Sequence, residues 1–221
     1  MKNSTFTHTP TSWETVLEVR TNLSRYISGH RLAHTLSVEK QAVDMAKIIF
    51  SSLGIDNAYI SDVSCAALLH DITKHFSLEE QLKFCEKHSI EICKAAESSC
   101  AMLHSKTAAF LAKELFDIND CVFNAIYCHT VGGNSMDIIA KIIFLADYIE
   151  PTRTAESCKN VRELFYSLTE NGNMSPLKAL DFCIIKSIDG TLDYLIQQNL
   201  PIHIQTVITR NGILEDNAFF K

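Results

Sequence analysis

Apolar residues recur three and four apart along most of this chain, the period of helices that bury one face. The first such stretch follows Thr11-x-x-Glu14, a capping-box pattern, and carries Trp13, Val16, Leu17, Arg20 and Leu23. A second is predicted from about residue 30 to 53, with Leu32, Leu36, Val43, Ala46, Phe50 and Leu53 on its inner side and Gly54 as the C-terminal cap. Asp56 or Asn57 then caps a helix ending near His70. Ser77-x-x-Glu80 opens a short helix to about His88. After a loop around residues 97–101, Leu103, Thr107, Phe110, Leu111 and Leu115 mark another. Asn119 or Asp120 caps a helix ending at His129, and Gly132-Gly133 makes a turn.

The stretch from Ser135 to Tyr148 is apolar on nearly every face, so it is predicted as the central buried helix, stopped by Pro151. A helix over about residues 159–168 follows. Ser175-Pro176 opens the last long one through Leu180, Ile184, Ile188, Leu192 and Leu195, and Pro201 closes it. Residues 202–210 fit a short strand or a helical turn equally well. No repeat or linker divides the pattern. The expectation is an all-α fold with one domain over residues 11–211, a flexible tail over 1–10 and a C-terminal tail over 212–221.

Polar residues that interrupt the apolar faces are the candidates for chemistry: His34, His70, Asp71, His104, His129 and Asp147. Asp147 lies within Lys141-Ile142-Ile143-Phe144-Leu145-Ala146-Asp147-Tyr148-Ile149, where a lone ionised carboxylate is expelled or protonated unless a cation meets it. An arginine would serve, and so would a divalent metal. His70-Asp71 ends the apolar run Cys65 to Leu69 and poses the same problem at the inner end of a helix. His34 stands one turn after His30, a pair spaced to face one metal, although a single histidine at such a position is more often a hydrogen-bonded core residue than a ligand.

The composition narrows the field. A net charge of -6 gives no basic field for nucleic acid or an anionic membrane, so an anionic ligand needs local cations. No apolar run approaches a membrane span, and the polar start lacks a signal-peptide core. Eight cysteines form no C-x-x-C pair and sit mostly in apolar patterns, which reads as reduced thiols in a cytoplasmic protein. There is no G-x-x-x-x-G-K-[ST] loop to cradle phosphates.

The order His … His-Asp … His … His … Asp resembles the HD-domain phosphohydrolases. The longer matches resemble their bacterial YqeK-type family of symmetrical diadenosine tetraphosphate hydrolases: Arg31 to Val38, Ala66 to Lys74, His129 to Gly132, Lys141 to Arg153, and Pro201-Ile202-His203 with Thr206-Val207 and Arg210-Asn211. One departure stands out: His104 is followed by Ser105-Lys106 where that family usually has Gly-Pro.

The resemblance implies a helical HD-domain bundle around a central metal that hydrolyses diadenosine tetraphosphate to two ADP with a metal-activated water. It implies His34, His70, Asp71 and Asp147 as metal ligands, with His70, Asp71 and Asp147 catalytic, and it favours iron over manganese or another first-row ion. Two imidazoles and two carboxylates with open positions suit such an ion better than a closed structural zinc. Nucleotide and phosphate contacts are implied for Arg31, Asp71, Ile72, Thr73, Lys74, His104, His129, Thr130, Asp147 and Arg153. The segment Gly190, Thr191, Leu192, Asp193, Tyr194 and Leu195 is expected on the adenosine side, with Tyr194 read first as a core aromatic. In two-metal HD relatives, His104 and His129 would instead hold a second ion. Other readings stay open: a nucleotidase, a deoxynucleoside triphosphate hydrolase, or a nucleotide-sensing metal protein without turnover. The oligomeric state, including a homodimer, is left open.

Overall fold

The computed structural model describes residues 6–134, 136–172 and 174–217. Its described residues form ten α-helices: α1 Trp13–Asn22, α2 Gly29–Leu53, α3 Ile60–Leu69, α4 Leu78–Lys87, α5 Cys100–Phe116, α6 Asp120–Cys128, α7 Ile138–Ile149, α8 Glu156–Glu170, α9 Pro176–Gln197 and α10 Ile204–Asp216. No strand occurs among them.

Three helices lie deepest. All ten residues of α3 are buried, and α7 buries Ile138 to Ala140, Ile142 to Ala146 and Ile149. Both pack on the long α2, whose inner face is His34, Thr35, Val38, Ala42, Met45, Ala46, Ile49 and Phe50. Around them, α6 joins α3, α5 and α7, while α9 packs against α7 and α8. A second, smaller cluster of Cys85, Ile90, Ala96 and Leu103 ties α4 to α5. Burial of this apolar surface, about 25 cal/mol per Å², is the main force holding the bundle together.

Several helix ends follow from their cap residues. Ser77 and Glu80 form the reciprocal capping box at α4. Asp56 accepts from the Ala58 amide ahead of α3, and Asn119 and Asp137 cap α6 and α7. Gly54 closes α2 at φ 66°, a left-handed geometry that favours glycine. All eight cysteines are free thiols, six of them buried.

The structure departs from the expected pattern in five places. The α1 cap is Ser12, which accepts from the Thr15 amide; the Thr11 amide is instead bonded to the fully buried Asp62 at 2.8 Å. Trp13 and Leu17 face outward and the buried α1 face is Val16 and Val19, because α1 packs on α3 from the opposite side. On α2, Leu36 and Leu53 are exposed, and the inner stripe is rotated toward His34. Residues 6–10, expected as part of a flexible tail, dock on the bundle: Phe6 packs on Tyr59 at 4.5 Å between centroids, and His8 meets Asp62 at 2.8 Å. At the other end, α10 runs through the expected boundary at 211, with His203 as its cap. Residues 1–5 and 218–221 of the two expected tails, and Ser135 at the expected start of α7, lie outside the described residues.

Candidate metal centre

Five helices deliver the six expected side chains to one place. His34 comes from the second turn of α2, and His70 with Asp71 from the turn that ends α3. His104 sits within α5, His129 caps α6 and Asp147 lies near the end of α7. His34 Nε2 is 3.1 Å from an Asp147 carboxylate oxygen and 3.9 Å from Asp71 Oδ2. His70 Nε2 is 3.7 Å from Asp71 Oδ2 and 4.0 Å from Asp147 Oδ1. On the other side of Asp71, Oδ1 lies 3.1 Å from His104 Nε2 and 3.7 Å from His129 Nε2. The departure from Gly-Pro after His104 leaves α5 continuous across Ser105 and Lys106. His30, the other half of the i,i+4 pair, is exposed and stays outside the cluster.

Backbone carbonyls fix which ring nitrogens carry protons. His70 Nδ1 donates to the Ala67 carbonyl and His129 Nδ1 to the Ile126 carbonyl, each at 2.7 Å. Their Nε2 atoms therefore present lone pairs to the centre when the rings are neutral. His34 Nδ1 donates to Glu150 at 3.0 Å, which turns its Nε2 the same way. Lone pairs thus converge with two carboxylates at the centre of the bundle. His70 Nε2 and Asp71 Oδ1 are buried without a well-formed hydrogen bond. His34, His70 and Asp71 donors lie within 4.8 Å of one another, as do those of Asp71, His104 and His129. This donor set fits a divalent cation.

Burial is the largest influence on each titrating group here, and neighbours decide the outcome. It pushes His70 down to about 4 against the opposing charge of Asp71. His104 also falls to about 4, through burial reinforced by Lys74 and His129. For Asp71, burial works upward but is overcome by His70, His104, His129 and Lys74, which hold the carboxyl well below its usual range. Asp147 is held low in the same way by His34, His70 and Arg153. Burial lowers His34, yet Asp147 and Glu150 overcome it and raise the imidazole. The carboxylates are therefore ionised and His104 neutral at neutral pH.

The expected cations surround this cluster. Lys74 Nζ is 3.4 Å from Asp71 Oδ1 and 2.8 Å from His104 Nε2, and Thr130 Oγ1 is 3.2 Å from that nitrogen. Arg153 folds back to donate to the Asp147 carboxylate at 2.7 Å and to its carbonyl at 3.0 Å. Arg31 leaves Nη1 buried without a partner among the described residues. Other expected contacts sit differently. Ile72 is in the core, and the Thr73 hydroxyl is engaged with the His104 carbonyl and Thr107. Of residues 190–195, Thr191 lines the space beside the cluster. Tyr194 is 58% exposed rather than a core aromatic.

Glu150 was missed by sequence reading. It is fully buried, accepts from His34, and is itself held by the Thr152 amide and hydroxyl, each at 2.6 Å. An acid directly before Pro151 reads as a solvated helix end; its spacing of three from Asp147 was the available signal.

Two cavities adjoin the cluster. One of about 730 Å³ is walled by residues 25–28, 30 and 31 and reaches His34, Asp71 and Glu150. Another of about 240 Å³ reaches His104, His129, Thr130, Asp147 and Thr191.

The HD-domain family model matches residues 31–152. A protein of Halalkalibacterium halodurans named a symmetrical bis(5'-nucleosyl)-tetraphosphatase is 30% identical over 86% of this chain and 91% of its own. A Bacillus subtilis protein of the same name is 25% identical over 87% and 94%. Among solved structures, a predicted HD superfamily hydrolase involved in NAD metabolism from Clostridium acetobutylicum superposes with a TM-score of 0.76, at 26% identity, over 94% of this chain and 99% of that one. With the His-Asp cluster intact at the centre of the matched region, the chain belongs to the HD-domain family, in its branch of symmetrical bis(5'-nucleosyl)-tetraphosphatases.

Proposed function

We propose that the chain hydrolyses diadenosine tetraphosphate at its central bridge and releases two ADP. The observation that carries this reading is the clustering of four imidazoles with the carboxylates of Asp71 and Asp147 beside Lys74, Arg31 and Arg153, in a chain whose similarly named relatives align over most of their length. In the reaction a water oxygen bonds to one inner phosphorus. The bond from that phosphorus to the central bridging oxygen breaks, and the bridging oxygen leaves on the second ADP. The water's protons pass to phosphate or solvent.

His34, His70, Asp71 and Asp147 would hold a divalent ion, which when bound lowers the pKa of water and draws charge from phosphoryl oxygens. Iron is the ion proposed, with manganese or another first-row metal also suited to this nitrogen and oxygen set. Lys74, Arg31 and Arg153 neutralise the polyphosphate, and the planar guanidinium forks can engage two oxygens at once. Neutral His104 acts through hydrogen bonds to phosphate rather than by charge, with His129 and Thr130 beside it. Ile72 and Thr73 contribute through their backbone, and Thr191 marks the adenosine side with Gly190 to Leu195.

A second ion is favoured by one feature: the two Asp71 oxygens face different imidazole pairs, Oδ2 toward His34 and His70 and Oδ1 toward His104 and His129. The enzyme is read as cytoplasmic, with a homodimer left open; no described helix is long and apolar enough to cross a membrane.

A nucleotide panel with product analysis tests the reaction. ADP alone from the dinucleoside tetraphosphate supports it. Inorganic phosphate from mononucleotides would point to a nucleotidase, and tripolyphosphate to a deoxynucleoside triphosphate hydrolase. Tight ADP binding without turnover would point to a nucleotide sensor.

A further inference from the structure

The His-Asp cluster is a partition between two cavities. Asp71 and His34 open onto the larger, Asp147, His104 and His129 onto the smaller, and Lys74 and Arg153 line both. The contacts expected for a nucleotide, Thr130 and Thr191 among them, account for the smaller side. They leave one stretch of the larger wall without a role: Arg25, Tyr26, Ile27, Ser28 and His30, beside the phosphate-facing Arg31.

We propose that this larger cavity receives the second nucleoside arm of a two-armed polyphosphate, so that the phosphate bridge crosses the partition with one nucleoside on each side. The inference rests on the proposed symmetrical hydrolysis and names where its second arm sits.

Four features of the cavity carry it. Its volume of about 730 Å³ falls within the usual range for small-molecule sites. Its lining holds four cationic side chains, Arg25, Arg31, Lys74 and Arg153, against the carboxylates Asp71 and Glu150, in a chain of net charge -6. Such a local excess suits a ligand whose arms arrive joined by phosphates. The buried Arg31 Nη1 lacks a hydrogen-bond partner among the described residues, a donor left for an acceptor from outside the chain. The wall also mixes surfaces as a nucleoside requires. Tyr26 is half-buried and fixed edge-on to Phe116 at 6.2 Å between centroids, while Arg25, Ser28 and His30 are exposed polar groups for base and ribose.

A nucleoside anchored on one side alone sets the cut by counting phosphates from a single end. Anchors on both sides centre the bridge over the partition and disfavour chains with one arm missing. The test compares kcat/KM for diadenosine tetraphosphate with that for adenosine 5'-tetraphosphate, which keeps the phosphates and lacks the second nucleoside. It uses wild type, Ser28→Trp, which fills the cavity, and the double variant Arg25→Ala/His30→Ala. These positions are exposed, and melting temperature and metal content verify that each variant folds and loads. The expected result is a wild-type preference for the two-armed substrate that falls by about tenfold or more in both variants. Equal wild-type efficiency on the two substrates, or an unchanged preference in either folded variant, overturns the second-arm site while leaving the hydrolase reading in place. A wild type that cleaves neither substrate overturns both.

Discussion

Asp71 faces two pairs of imidazoles at once, and its carboxylate is the negative charge they share. Truncation at this position removes a proposed ligand from either metal arrangement and the counter-charge of Lys74. Asp71→Ala is therefore expected to lose at least about a thousandfold in kcat while keeping its helical circular dichroism. Wild-type turnover by that variant would sink the metal mechanism. Glu150 acts one contact further out, through the His34 Nδ1 proton. Glu150→Gln should weaken metal affinity by about 10–100-fold, read by competition with a chelating dye. Unchanged affinity would mean that His34 is oriented without it. The histidines also make a pH prediction for chelator-treated protein. Burial lowers His70 and His104 to about 4, so the unfolded chain binds their protons first as pH falls below about 6.5. Their contribution is complete above that pH and lost toward pH 4. The raised His34 works in the opposite sense, contributing below its usual value and losing that contribution as pH rises through its folded value. The His34 contribution is already complete below about pH 6.5, so His70 and His104 govern the acid limb and the melting temperature should fall from pH 6.5 to 4; a flat profile would contradict these burial effects.

At the level of elements, α10 supports the His129 turn from behind. Gly132 has φ 80°, and a Cβ there would lie 2.3 Å from the Thr209 hydroxyl oxygen. Gly132→Ala combines a disfavoured backbone with a clash, and a loss of roughly 1–3 kcal/mol in a denaturant titration is expected. A stability equal to wild type would show that α10 is free to shift. The buried Gln81 does similar work on the far side, donating to the Thr73 carbonyl at 2.8 Å and accepting from Thr107. Gln81→Leu should cost about 1–3 kcal/mol, because it strands buried polar groups next to His104. These examples also mark what was legible. A helix with one strong cap and one apolar face, such as α4, and one apolar on nearly every face, such as α7, were readable from local pattern. On α1 and α2, apolar residues lie on more than one face, so periodicity did not choose between them; packing on α3 did. Residues 202–210 were undecidable because β-branched residues after a proline fit both states, and the His203 cap together with packing on α9 selects the helix.

For the whole molecule, the site was easier to read than the surface around it. His34, His70, Asp71, His104, His129 and Asp147 announced themselves as polar residues on apolar faces, and the fold brings all six together. Glu150 and the wall formed by residues 25–30 gave no such signal. An acid before a proline and a short polar turn are ordinary at surfaces, and the tertiary arrangement alone makes one a buried orienting group and the other the side of a cleft. The same arrangement concentrates cations at the cluster of an acidic chain, where the polyphosphate of the proposed reaction would be drawn. The most direct test of this account is the product ratio from diadenosine tetraphosphate, incubated with purified protein and iron or manganese and resolved over time. The account predicts ADP as the sole nucleotide product, two for each substrate consumed. ATP and AMP in equal amounts would contradict it.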